Sequence, residues 1–206
     1  RFPVDFAEVK AQENVKRALE VAAAGGHNIL LIGPPGAGKS MLAKRLPTIL
    51  PAMNRAEMIE TTQVYSVLGL TTPDDPVVRT RPFRAPHHTV SNVAMSGGGS
   101  ALQPGEMSLA DNGVLFLDEL PEFSRSALDA LRQPLENKRA VISRVMAHTV
   151  YPADFQLVAA MNPCRCGFFG VEGRMCAKAP QCAEDYLAKL SGPFPVSYTH
   201  LRAHET

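Results

Sequence analysis

The chain has 206 residues, of which 45% are hydrophobic and 20% are charged, and its formal net charge is +1. This length suits one domain, or one domain with part of a second, and the composition is that of an ordinary globular protein. The small net charge excludes attraction to nucleic acid by bulk electrostatics, so a DNA contact would need a local basic patch. With no apolar run of about 18 residues and no signal-peptide core at the start, we expect a cytoplasmic protein that contacts no membrane.

The first 70 residues predict three helices around one buried strand. Residues 6–26 place apolar side chains at mostly helical spacing, and a glycine pair ends the segment. The run "HNILLIG" (27–33) is short and continuously apolar, which is typical of a strand buried in a parallel sheet. Residues 39–51 predict a helix that bends or ends near Pro47, and residues 54–70 predict an amphipathic helix.

The rest of the chain predicts two more buried strands. Residues 71–113 are rich in Pro, Gly, Thr and Ser, so they predict loops with short strands at most. Residues 114–117 predict the second buried strand, 124–138 a helix, 140–155 a hairpin and 155–162 the third buried strand. Buried strands joined by helical crossovers indicate an α/β fold, with a parallel sheet covered by helices on both faces and a loop or hairpin insertion.

The stretch "GPPGAGKS" (33–40) fits the phosphate-binding pattern G-x-x-x-x-G-K-[ST], and it lies between a predicted strand and a predicted helix. Its glycines allow backbone N–H groups to surround phosphate oxygens. Lys39 is expected to reach the β- and γ-phosphates of ATP, and Ser40 to bind Mg²⁺. A chance match of the constrained positions is expected in under about 1% of chains of this length. The predicted nucleotide-binding residues are Gly33, Pro34, Pro35, Gly36, Ala37, Gly38, Lys39, Ser40 and Met41.

Polar side chains follow the second and third predicted strands. Asp118 and Glu119 end "VLFLDE", at the edge of the sheet where ligands bind in open α/β folds. We expect Asp118 to join Ser40 in the Mg²⁺ shell and Glu119 to polarise the attacking water. Asn162 ends "LVAAMN" and is expected to align that water or to contact the γ-phosphate. The predicted catalytic residues are Lys39, Asp118, Glu119 and Asn162. The alternative is that Asp118 and Glu119 are solvated acids at the end of a strand and that Asn162 caps the end of its strand.

The four cysteines form the pattern C-x-C-x9-C-x5-C, at Cys164, Cys166, Cys176 and Cys182. In a chain without an export signal, cysteines favour free thiols or metal ligands over disulfides. Four thiolates make a closed structural Zn²⁺ site, although this spacing differs from the usual paired C-x2-C. Incidental thiols in a loop are the alternative. Zinc is therefore a second candidate cofactor, with a bracing role and no catalytic one.

The most basic loop precedes the second strand, and its charges can bind phosphates without reading sequence. Adjacent histidines in an extended chain point to opposite faces, so they are poor metal chelators. A solvated loop or an intersubunit contact is the alternative reading of this loop. The candidate nucleic-acid contacts are Arg81, Arg84, His87 and His88, together with Arg144 in the predicted hairpin.

The phosphate-binding loop and the two strands that end at Asp118 and Asn162 together resemble an AAA+ ATPase. The sequence from Arg81 to Gly167 resembles the magnesium-chelatase-like AAA+ family of ComM/YifB type. The resemblance runs from about Phe6 to Pro193. It implies a Walker A motif at Gly33–Ser40, a Walker B motif at Asp118–Glu119 and a sensor-1 residue at Asn162. It also implies a ring, usually a hexamer, and ATP-driven work on DNA such as branch migration. Magnesium chelatase relatives act on a protein partner instead.

The end of the chain departs from the family pattern. After "LSGP" the family continues with an arginine that acts across the subunit interface, whereas this chain continues "FPVSYTHLRAHET". We expect residues 1–192 to be an ATPase core without the family's helical lid and N-terminal domain, and residues 193–206 to be a non-native, poorly ordered tail. Arg202 is not expected to replace the missing arginine. Because such an arginine contributes about 10³–10⁵ in turnover, this chain alone is expected to bind ATP and hydrolyse it poorly.

Three functions therefore compete. The leading one is a ring-forming, ATP-driven motor that acts on DNA. The second is a chelatase-type motor that remodels a protein partner. The third, from another class, is a non-enzymatic nucleotide-binding module braced by zinc.

Overall fold

The computed structural model describes residues 3–10, 12–144, 147–170, 176–190 and 199–202. Short 3-10 turns lie at Phe6–Glu8, Leu46–Thr48 and Leu120–Glu122. The helices are α1 (Glu13–Gly25), α2 (Lys39–Arg45), α3 (Arg55–Val67), α4 (Asn92–Ser96), α5 (Glu106–Leu109), α6 (Arg125–Asp129), α7 (Arg132–Asn137) and α8 (Gln181–Ala188). The strands are β1 (Ile29–Ile32), β2 (Phe83–Arg84), β3 (Gly97–Gly98), β4 (Gln103–Pro104), β5 (Val114–Leu117), β6 (Arg139–Arg144), β7 (Ala147–Pro152), β8 (Gln156–Met161) and β9 (Thr199–Arg202).

One parallel sheet organises the described residues, with the strand order β2-β5-β8-β1-β9. The register places Leu31 of β1 opposite Ala160 of β8, and Leu115 of β5 opposite Leu157 of β8. The prediction of a parallel α/β fold is confirmed. The three predicted buried strands are the three central ones.

Side chains of the central strands alternate between two cores, as the two-residue period of a strand requires. Ile29, Val114 and Val158 face a core that also holds apolar residues of α1 and α2. Leu30, Leu115 and Leu157 face a second core, formed with α4, α5, α6 and α8. Because both faces are covered, the central strands are almost entirely apolar, and Gln156 at the start of β8 is buried as well. This apolar character makes them recognisable in the sequence.

The strand β9 lies in the segment for which the sequence predicts a poorly ordered tail. It pairs with the outer edge of β1, with Thr199 opposite Ile29. The neighbouring positions 191–198 and 203–206 lie outside the described residues. The division of the chain at residues 192 and 193 therefore stays a prediction.

Two predicted elements differ from those observed in the structure. The helix expected over residues 124–138 is two helices, α6 and α7, which meet at Ala130 and Leu131. Pro134 explains the break, since it has no N–H to donate to the carbonyl of Ala130 and its ring clashes with that group. The segment 71–113 contains the short helices α4 and α5 as well as loops and short strands; Ser91 caps α4, accepting from the N–H of Ala94.

The predicted hairpin is confirmed as β6 and β7, which pair antiparallel. A second antiparallel pair, β3 and β4, lies within the segment 71–113. Neither hairpin joins the main sheet. Within the described parts of the chain, no helix has both the length and the apolar character needed to cross a membrane.

Asp111, in the loop before β5, is a fully buried carboxyl group. Its Oδ1 accepts from the backbone N of Asp154 at 2.8 Å, and its Oδ2 accepts from Nδ2 of Asn112 at 2.9 Å. Burial, assisted by the nearby acidic groups of Glu60 and Asp154, raises the pKa of Asp111 to about 7. Its protonation is therefore linked to folding.

We expect the free energy of unfolding to fall as the pH rises from about 4 to about 7, because of Asp111. Its ordinary pKa is 3.8 and its folded pKa is about 7, so the folded protein binds this proton more tightly over that range. The stabilisation is complete below the unfolded pKa and is lost as the pH passes the folded pKa, with a size of roughly 4 kcal/mol. Asp111→Asn keeps an acceptor for the N–H of Asp154 and should lack this dependence. Urea unfolding of both proteins at about pH 5 and about pH 8 is the measurement; equal changes in both would contradict the prediction.

Candidate functional site

Polar residues from three adjacent strands meet at one edge of the sheet. The loop 33–38 follows β1, Asp118 and Glu119 follow β5, and Asn162 follows β8. Since these strands are parallel neighbours in the order β5-β8-β1, their carboxyl ends lie side by side. The sequence separates these groups by up to 129 positions, and the topology brings them together.

The loop between β1 and α2 depends on two glycines. Gly36 has φ +86° and Gly38 has φ +77°, values that L side chains rarely adopt. Gly38 immediately precedes the first residue of α2, which is Lys39. The glycine pattern in the sequence is thus explained by the backbone, and the loop delivers Lys39 and Ser40 to the sheet edge. Met41, on the next position, is exposed.

Lys39 is the buried cation of this edge, with 8% of its surface exposed. Its Nζ donates to the carbonyl oxygens of Gly33 at 2.7 Å and Pro34 at 2.8 Å, and to Oδ1 of Asn162 at 3.1 Å. Burial lowers the pKa of Lys39, and the charge of Asp118 opposes that effect. Three acceptors use all three ammonium donors, so the lysine is held in one place.

Ser40 and Asp118 form the second contact across the edge. The Oγ of Ser40 donates to Oδ2 of Asp118 at 2.6 Å, and Oδ1 of Asp118 accepts from the backbone N of Glu119 at 3.0 Å. A hydroxyl and a carboxylate at this separation are the oxygen ligands that Mg²⁺ uses when it also binds phosphate. These residues fit the metal that the sequence predicts.

Glu119 has an unusual backbone, with φ +53° in a residue that is not glycine. Such conformations cost free energy and cluster at functional sites. Its side chain is 59% exposed, and its Oε2 lies 3.5 Å from Nδ1 of His88. This contact could not be predicted from the sequence, because β2 is only two residues long and the chain between β2 and His88 is irregular.

His87 and His88 do not point to opposite faces as expected for an extended chain. Their ring centroids are 4.0 Å apart, because the chain turns at His88 and Thr89. The rings of His88 and Phe123 are in a T-shaped arrangement, with their centroids 6.4 Å apart. His87 is exposed, and its Nδ1 lies 2.9 Å from Oγ1 of Thr89. The structure thus places His88 beside Glu119 and leaves His87 on the surface.

Two of the three predicted arginine contacts, Arg81 and Arg84, have carboxylate partners. Arg84 forms a bidentate ion pair with Glu106. Its Nε donates to Oε2 at 2.7 Å and its Nη2 donates to Oε1 at 2.8 Å. Arg81 lies 3.2 Å from Glu57 and also lines a cavity of about 360 Å³ at the amino ends of the strands, away from Lys39. Both pairs are partly buried. The side chain of Arg144 lies outside the described residues.

We expect Arg84→Ala to destabilise the protein by about 1.5–3 kcal/mol, since it leaves Glu106 without its charged partner. Arg79→Ala removes an exposed arginine of the same loop and should change stability little. Urea unfolding of both variants measures the difference. Equal stabilities would contradict a structural role for Arg84.

The four cysteines lie together. Their sulfur atoms are all within 4.8 Å of one another, and those of Cys164 and Cys166 are 3.2 Å apart. Four sulfurs around Zn²⁺, each at about 2.3 Å, are separated by about 3.8 Å. The cluster is thus near tetrahedral dimensions, despite its unusual spacing in sequence. Cys164 and Cys176 are buried, whereas Cys166 is exposed.

One contact at this edge was not expected from the sequence. Gly167, three residues after Cys164, packs against the ring of Pro35 in the loop before α2. A Cβ added at Gly167 would lie 2.5 Å from Cδ of Pro35. Gly167 also has φ +87°. The signal in the sequence was a glycine after the first cysteine pair, but its partner is 132 positions away and could not be inferred.

Known proteins provide a comparison for this arrangement. The family described as magnesium chelatase, subunit ChlI, matches residues 5–196. The chain is 53% identical over 192 residues to the competence protein ComM of Haemophilus influenzae, which covers 93% of this chain and 37% of ComM. It is 51% identical over 190 residues to the protein YifB of Escherichia coli, covering 92% of this chain and 37% of YifB. The chain thus spans a little over a third of the length of these relatives.

A solved structure gives the same result for the fold. The chain is similar to the complex between subunits BchI and BchD of magnesium chelatase, with a TM-score of 0.58 and 25% sequence identity, over 89% of this chain and 59% of that chain. The family match, the relatives and the fold agree with the resemblance inferred from the motifs. The chain therefore belongs to the magnesium-chelatase-like AAA+ ATPase family, and within it to the ComM/YifB type.

Proposed function

We propose that this chain binds Mg²⁺-ATP at the edge where β1, β5 and β8 end, and that it is the ATPase core of a ring-forming motor acting on DNA. The observation that carries the nucleotide site is the convergence of Lys39, the Ser40–Asp118 pair and Asn162 at one edge. A glycine loop, a buried lysine and two oxygen ligands for Mg²⁺ are parts that P-loop enzymes use to bind a nucleoside triphosphate.

Each residue has a distinct role in this proposal. Residues 33–41 surround the phosphates, with Lys39 pairing with the terminal ones (Walker A). Ser40 and Asp118 hold Mg²⁺, which when bound neutralises charge on the phosphate oxygens. Glu119 orients and polarises the attacking water, and Asn162 contacts the γ-phosphate or that water. The 3.1 Å contact between Lys39 and Asn162 supports this assignment, since both side chains reach the same point.

The proposal of DNA as the substrate is supported by the likeness to the competence protein ComM. Ring formation, with six subunits as the expected number, is supported by the likeness to BchI, which assembles with BchD. Because Arg81 and Arg84 are engaged by carboxylates, the exposed His87 is the better-placed DNA contact of the loop. The likeness to BchI equally supports the second candidate, a motor that remodels a protein partner.

Two measurements test this function. Titration of this chain with Mg²⁺-ATP should show binding at one site per chain. In a protein extended to the full length of the relatives, duplex or branched DNA should increase the rate of ATP hydrolysis. Binding without any effect of DNA would favour the protein-remodelling motor, and absence of binding would contradict the nucleotide site.

We also propose that the four cysteines bind one structural Zn²⁺. Their near-tetrahedral grouping supports this, and the cytoplasmic location that we propose for the protein would keep the four thiols reduced. Protein purified without chelator should contain about one zinc per chain, and Cys176→Ser should lose it. Metal-free wild-type protein would contradict the assignment.

A further inference from the structure

The loop that carries the cysteines begins at the proposed nucleotide site. Only Pro163 separates Asn162 from Cys164, and Oδ1 of Asn162 accepts from Nζ of Lys39. Just upstream, the carbonyl oxygen of Met161 accepts from the backbone N of Gly33 at 3.3 Å. A displacement of Cys164 would therefore move Asn162 relative to Lys39.

The same loop returns to the phosphate-binding residues at Gly167. Its backbone N donates to the carbonyl oxygen of Cys164 at 3.0 Å, which makes a tight turn around the first two cysteines. The turn places Gly167 against Pro35, so closely that a Cβ would lie 2.5 Å from Cδ and 2.8 Å from Cγ of that ring. The cysteine turn therefore touches the phosphate loop at one end and positions Asn162 at the other.

Of the other two cysteines, Cys176 packs in a small buried cluster with Cys164, and Cys182 connects this cluster to the body of the protein. Cys182 lies on α8, whose Tyr186 is buried in the second core. Just beyond α8, Nζ of Lys189 lies 2.9 Å from Oε1 of Glu122, close to the end of β5. A metal shared by all four sulfurs would join the turn to α8, and through α8 to the sheet.

We propose that metal bound by the four cysteines controls nucleotide affinity, by fixing the turn 164–167 against Pro35 and Asn162 against Lys39. The inference rests on the proposed nucleotide site and names a control over it. Because coupling between two binding sites is reciprocal, bound nucleotide must tighten the metal by the same factor that the metal tightens nucleotide. The expected factor is about tenfold, within the usual range for coupled sites.

The experiment compares the zinc-loaded chain with the chain stripped by a zinc chelator. Amide hydrogen exchange is followed at Gly36–Ser40, and Mg²⁺-ATP affinity is measured by titration. Gly167→Ala tests the contact with Pro35 while all four cysteines remain. Gly170→Ala is its matched control, because Gly170 lies in the same loop with φ +73° and a Cβ there would meet nothing within 4 Å.

Removal of zinc should increase exchange at Gly36–Ser40 and weaken Mg²⁺-ATP binding by about tenfold, and Gly167→Ala should do the same with zinc still bound. Gly170→Ala should leave both measurements close to wild type. Equal exchange in the loaded and stripped chains would overturn the proposal, as would an increase spread uniformly over β5 and β8. Failure of both forms to bind Mg²⁺-ATP would contradict the nucleotide site itself, and the exchange comparison would still decide whether the metal braces the loop.

Discussion

Lys39→Ala should abolish measurable Mg²⁺-ATP binding, whereas Lys44→Ala should bind as the wild type does. The two lysines lie on the same helix, α2, and differ in burial: Lys39 is 8% exposed and Lys44 faces solvent. Truncating one member of a buried, hydrogen-bonded charge pair costs about 2–5 kcal/mol, or roughly 30-fold to several thousand-fold in affinity. Titration calorimetry of the three proteins at one salt concentration is the measurement.

The loss of Mg²⁺-ATP binding in Lys39→Ala must also be distinguished from an effect of misfolding. Lys39→Ala leaves the carbonyl oxygens of Gly33 and Pro34 without their donor, so some loss of stability is expected. Binding is therefore compared at a temperature where circular dichroism shows each variant to be folded. If folded Lys39→Ala kept an affinity within about threefold of the wild type, the proposed role of Lys39 would be wrong.

The sheet and the edge at which the candidate site lies could be predicted from sequence because their signals are local. Each central strand is buried on both faces, so it appears as a continuous apolar run, and the polar residue that ends the run marks the sheet edge. Asp118 and Asn162 were located this way. The glycines at positions 36 and 38 have a local cause too, since each adopts a positive φ.

Contacts between distant side chains could not be predicted, because nothing local specifies a partner. Arg84, a predicted DNA contact, forms an ion pair with Glu106 in the structure. Pro35 meets Gly167 across more than a hundred positions, and His88 reaches Glu119 only through an irregular turn. The break between α6 and α7 lies at Ala130 and Leu131, about one turn before Pro134. A proline within a predicted helix is a local signal for such a break, but the sequence analysis predicted one helix here.

Glu119→Gln should lower ATP turnover by about 10²–10⁴-fold while leaving Mg²⁺-ATP binding nearly unchanged, since a general base acts on the chemical step. The amide keeps the size of the side chain and removes the charge that polarises water. Glu136→Gln, at an exposed position of α7, is the matched control. The measurement is steady-state hydrolysis, with and without DNA, in a protein extended to the length of the relatives, because this chain alone is expected to be slow. Unchanged turnover in Glu119→Gln would contradict the motor mechanism and favour a nucleotide-binding module that does no catalytic work.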